Sequence, residues 1–150
     1  MKILKIFIVT LLILLSVQGW LGDYVNLFAV FPSGSVSISF GGLIRALENA
    51  GLMELFHASL GVLLLAVSVA VLILSFRTKL KSIRISSIIG LAAVASAVVG
   101  GLLFVFSGFR DNGNSAQMGG SFIGAYAFYF IELYFTRENP KKINGKCNTE

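Results

Sequence analysis

The chain has 150 residues, of which 56% are hydrophobic and 13% charged, with a formal net charge of +5 and a mean hydropathy of +0.86. Soluble domains carry about a quarter charged residues, and a small domain leaves much of its surface in water. This composition therefore excludes an ordinary soluble enzyme, a disordered chain and a disulfide scaffold. What remains is a multi-pass protein of the cell membrane, with the lipid bilayer as its first partner. Its positive charge reads as loop charge and not as a nucleic-acid patch. The single cysteine, Cys147, lies in a polar tail and gives no redox reading.

Four apolar stretches, at about 3–20, 52–76, 85–106 and 117–135, are long enough to cross roughly 30 Å of hydrocarbon, which takes about 20 helical residues. None shows the period-two alternation of a membrane β-barrel, and in lipid only helices and closed barrels satisfy the backbone. The expectation is an all-α integral membrane four-helix bundle, one domain over residues 1–138, followed by a polar tail at 139–150.

In chain order, Lys2 and Lys5 precede the first stretch. Together with the apolar core after them they also resemble a secretory signal, but no clear A-x-A site follows Ser16 and the apolar run resumes at Trp20. The retained span is the expectation. An outer loop at 21–51 follows, itself apolar through Val25-Asn26-Leu27-Phe28-Ala29-Val30-Phe31. It breaks at Pro32 and the Ser/Gly-rich run after it, and residues 43–50 then read as a short amphipathic helix at the interface. Either the 25–31 stretch continues the first helix, or it caps the bundle.

Arg77, Lys79, Lys81 and Arg84 fill the link between the second and third stretches. Arg137, Lys141, Lys142 and Lys146 follow the fourth. With Lys2 and Lys5 these make ten of the twelve basic residues on one side, leaving Arg45 and Arg110 on the other. The positive-inside rule places that side, and with it both termini, in the cytoplasm.

Most chemistries fail on inventory. His57 and Cys147 fall on opposite membrane faces, so one chain cannot assemble a His/Cys metal site or a Cys–His nucleophile from them. Two intramembrane ionisable positions stand out. His57 lies about a turn and a half inside the outer end of the second helix, able to hydrogen-bond or to ligate. Glu132 lies near the cytoplasmic end of the fourth helix. There it is expected to pair with Arg84 or snorkel to the surface; proton relay is the functional alternative.

Small residues mark helix-packing faces. On the third helix Ala93, Ala97 and Gly101 recur every four residues, beside Ala92, Ser96 and Gly100. Gly120 and Gly124 do the same on the fourth, and Gly61 and Ser68 mark the second.

Two features carry a resemblance. The first helix ends with Trp20-Leu21-Gly22-Asp23-Tyr24-Val25-Asn26-Leu27-Phe28, and the second opens with His57-Ala58-Ser59-Leu60-Gly61. Together they resemble a group of uncharacterised small four-span prokaryotic membrane proteins with a VNLF stretch ahead of a His-x-x-Leu-Gly helix. More distantly, the His-x-x-x-Gly opening and four-span layout resemble one half of haem A synthase. That resemblance implies haem ligation by His57 from the outer side. A second histidine is expected near the start of the fourth helix, where this chain has Ser115-Ala116-Gln117-Met118. Met118 is then the candidate second axial ligand, since His/Met ligation of haem occurs.

Three functional readings follow. The first is a non-enzymatic accessory or structural subunit of a larger membrane complex, partnered by other membrane subunits or a second copy of itself. The second is a haem-binding protein using His57, and the third a small transporter using Glu132.

Overall fold

The computed structural model describes residues 1–31 and 36–138. Its regular structure is five helices: α1 (Lys2–Phe28), α2 (Phe40–Ala50), α3 (Leu52–Phe76), α4 (Lys81–Phe106) and α5 (Asn112–Glu138). No strand occurs among the described residues. The polar tail at 139–150, with Cys147, lies outside them, as do residues 32–35 of the outer loop.

α1 runs roughly two turns past residue 20 because nothing in Leu21-Gly22-Asp23-Tyr24-Val25-Asn26-Leu27-Phe28 removes a backbone donor. A helical glycine costs only about 1 kcal/mol, whereas proline costs about 3, and the first proline is Pro32. The helix closes at Ala29, which turns extended while its N–H still bonds to the Val25 carbonyl. Leu4, Ile8, Leu11 and Leu15 recur every three or four residues along one face of α1, and all four are buried.

α2 starts where the Ser39 hydroxyl accepts the Gly42 N–H at 3.0 Å, a side-chain N-cap. Its buried face is Ala46 and Leu47, which join Phe31, Val105 and Phe109 in a small second core. Phe109 holds a left-handed backbone (φ 61°), uncommon for a bulky residue. It stacks on Phe31, with centroids 4.7 Å apart, and meets Phe104 edge-on at 5.6 Å. This burial of aromatic surface holds the turn between α4 and α5.

The four long helices form a ring in the order α1, α3, α4, α5, with α5 returning to α1 and α4–α5 the most extensive pair. α2 lies across the N-terminal end of α3 and the C-terminal end of α4. Leu4, Ile8, Leu11, Leu64, Val71, Ile83, Val94, Ala125 and Tyr129 meet at the centre. Serines are buried too, at Ser68, Ser75, Ser86 and Ser87, while Ile3, Ile13, Val62, Ile73, Ile85, Ile123 and Phe130 face outward. An apolar exterior around a partly polar interior suits a bundle solvated by lipid.

Three of the four expected spans, α1, α3 and α4, are helices long and apolar enough to cross a membrane. α5 has 27 residues, a sufficient length at 1.5 Å per residue, but its Gly, Gln, Tyr and Glu content keeps it below the apolarity of the other three.

Candidate functional site: a carboxylate among hydroxyls

Glu132 lies six residues before the end of α5, about 9 Å along its axis, and is completely buried. Its expected partner is elsewhere. Arg84 turns back on its own helix end, and its Nε donates to the Thr78 carbonyl at 3.0 Å, with Nη2 donating to the same oxygen. The guanidinium also lies 5.9 Å from the centre of the Phe76 ring. Neither the Arg84 pair nor snorkelling describes Glu132. Instead the Ser87 hydroxyl of α4 donates to Glu132 Oε1 at 2.6 Å.

Ser87 and Gly90 share one face of α4, three residues apart, as do Tyr129 and Glu132 on α5. The two faces fit as a pair of rungs: Ser87 meets Glu132, and the Tyr129 ring lies over Gly90. A Cβ at Gly90 would stand 2.8 Å from Tyr129 Cζ. The Tyr129 hydroxyl lies beside Ser68 of α3 and near Glu132. Ser68, Tyr129 and Glu132 are each fully buried, and among the described residues no group outside this cluster hydrogen-bonds to Ser68 Oγ, Tyr129 Oη or Glu132 Oε2. Each such group buried in apolar surroundings costs free energy. Leu4, Ile8, Leu11, Leu64, Val71 and Ile83 supply those surroundings.

A second polar group lies toward the α2 end of the bundle. Gln18 Nε2 donates to the His57 carbonyl at 3.1 Å and lies 3.3 Å from His57 Nε2. As acceptor, Nε2 leaves the ring proton on Nδ1, which is buried and without a partner, as is Gln18 Oε1. Gly22 brings α1 close, since a Cβ there would stand 3.2 Å from His57 Cε1. Glu54, three residues before His57, is buried with Oε2 unpartnered.

Met118 faces a different seam. Its Sδ lies 3.1 Å from where a Cβ of Gly101 would be, and its Cγ 3.2 Å from that of Gly100, both on α4. His57 thus packs on α1 and Met118 on α4, and the fold does not bring them together. As arranged, they do not fit the two axial positions of one haem.

The small residues separate into two kinds. Gly61 approaches Gln18, Gly101 receives Met118, and Gly124 lies against Ala93, while Ala97 is half-buried on α4. Gly120 faces open space. Gly90, absent from the expected stripes, makes the tightest of the α4–α5 approaches through Tyr129. Farther out, Ser121 donates to Ser96 Oγ at 3.0 Å, and Gln117 Nε2 donates to the same oxygen at 3.2 Å.

Among the described residues no group of three or more His, Cys, Asp and Glu could hold a metal ion. Comparison with family models, curated proteins and solved structures returns no match.

Proposed function

We propose that the chain is a four-span membrane protein with both termini cytoplasmic, acting as a non-enzymatic accessory or structural subunit of a larger membrane complex. α5 supports the fourth span: it packs along both α4 and α1, so it shares their slab of hydrocarbon. Its outward residues include Ile123, Phe130 and Ile131, and its less apolar residues Tyr129 and Glu132 point inward. The basic link between α3 and α4 supports the orientation.

The observation that carries the subunit reading is the outer cap. Val30, Ile38 and Phe40 are 86%, 85% and 80% exposed, next to an α2 whose other face is already packed on the bundle. Exposed apolar surface of this kind marks contact with a protein or the membrane. In mild detergent the native protein should migrate in a complex larger than the lone chain, and Ile38→Ser with Phe40→Ser should release it. Migration as a lone chain from native membranes would refute the reading.

A second reading, a small transporter using Glu132, is favoured by one observation: the carboxylate is buried in the bundle and has an open oxygen. Haem binding through His57 has no comparable support, because its candidate second ligand packs on another helix.

A further inference from the structure

The centre of the bundle holds three buried oxygens to which no described group outside the cluster donates: Ser68 Oγ, Tyr129 Oη and Glu132 Oε2, the first two carrying their own protons. They come from α3 and α5, which do not touch each other directly along the ring, so Tyr129 bridges the bundle's interior. Ser87 already fills the other carboxylate oxygen from α4. We propose that Ser68, Tyr129, Glu132 and Ser87 form a binding site for one compact monovalent cation, with Ser87 as a positioning residue.

The charge decides the class of ligand. One carboxylate is balanced by one positive charge. A divalent ion would leave an excess charge buried among Leu, Ile and Val side chains, and the described residues of that core include no second acid to offset it. Arg84, one turn from Ser87, is turned away onto the Thr78 carbonyl. A water molecule can donate to two of these oxygens and accept a hydroxyl proton, but it leaves the carboxylate charge unbalanced. A proton on Oε2 supplies no partner to both hydroxyl oxygens. A cation accepts lone pairs from all three oxygens at once, and hard cations take carboxylate and hydroxyl oxygen as ligands. The inference rests on the second reading only in treating Glu132 as a functional group. A binding assay fails separately from a transport assay.

The test uses the purified full chain in detergent, with NaCl replaced stepwise by choline chloride at constant ionic strength and 22Na+ as a direct probe. Wild type should bind 22Na+ and lose it to excess unlabelled Na+. Its melting temperature should rise steadily with each tenfold increase of Na+ above half-saturation. Glu132→Gln should abolish both effects, and Ser68→Ala and Tyr129→Phe should each raise the half-saturating Na+ roughly tenfold. Should Glu132→Gln fail to fold, the Ser68 and Tyr129 variants and wild-type 22Na+ binding decide the matter. No specific 22Na+ binding by wild type would overturn the proposal. So would an unchanged Na+ response in Glu132→Gln, or a carboxylic-acid infrared band from Glu132 that persists at saturating Na+.

Discussion

At Gly90 the absence of a side chain is filled by the Tyr129 ring, and a methyl group added there would stand 2.8 Å from Tyr129 Cζ. Gly90→Ala should therefore destabilise the bundle by about 1–3 kcal/mol, the usual cost of overpacking. Gly120→Ala meets nothing within contact distance and should be neutral or stabilising by up to about 1 kcal/mol through helix propensity. Thermal unfolding of the two variants in detergent checks the pair, and equal effects would contradict the packing described. Ser87→Ala removes the donor at 2.6 Å from Glu132 and should cost about 1 kcal/mol, in the range of hydrogen bonds measured within membrane bundles. Gly120 sits in a run of small residues and Gly90 between Ile89 and Leu91, so four-residue spacing alone favours Gly120. Which glycine is crowded depends on where a tyrosine of the next helix arrives, and spacing within one helix carries no such information. The partner of Glu132 escapes for the same reason. Arg84 and Ser87 are one turn apart on α4, and charge favours the arginine. The relative height of α4 and α5 selects the serine.

At the level of elements, apolar length identifies α1, α3 and α4 from sequence, and the short amphipathic run identifies α2. α5 is the harder case: its Gly, Gln, Tyr and Glu lower its apolarity, although Tyr129 and Glu132 turn inward and Ile123, Phe130 and Ile131 are among the side chains it turns outward. The sequence leaves the far end of α1 open between continued helix and cap, since no local signal stops a helix before Pro32. The join of α2 to α3 is a single residue, Gly51, with φ 109°, a backbone that L side chains rarely adopt. Gly51→Ala should cost more than about 1 kcal/mol through that strain. The loss should appear first as faster hydrogen exchange in α2, while the buried centre of α3 stays protected. Uniform deprotection would show that the joint serves the whole bundle.

For the whole molecule, orientation is the first test. In a background without Cys147, single cysteines at Ser35 and Asn112 should react with a membrane-impermeant thiol reagent from outside. One at Thr78 should react only after permeabilisation. Outside labelling of Thr78 would reverse the charge-based topology. The separation of His57 from Met118 makes a second statement at this scale. Purified protein incubated with haem should develop no Soret band that His57→Ala removes, and a band lost in that variant would mean that the α1–α3 seam opens to admit the ring.

Gly51 also gives α3 a mechanical character. Ser68 stands 17 residues along α3 from that joint, about 25 Å at helical rise, so one stiff rod reaches from the buried oxygens to the outer surface. With a linker of one residue there is almost no slack at its upper end. Any tilt of the rod that follows cation binding at Ser68 would reappear as a swing of α2, with the exposed Phe40 at the far end of α2 as its marker. Occupancy of the proposed site would then be legible at the surface that carries α2. A spin-label distance from α2 to Asn112, compared in Na+ and in choline, reads that swing directly.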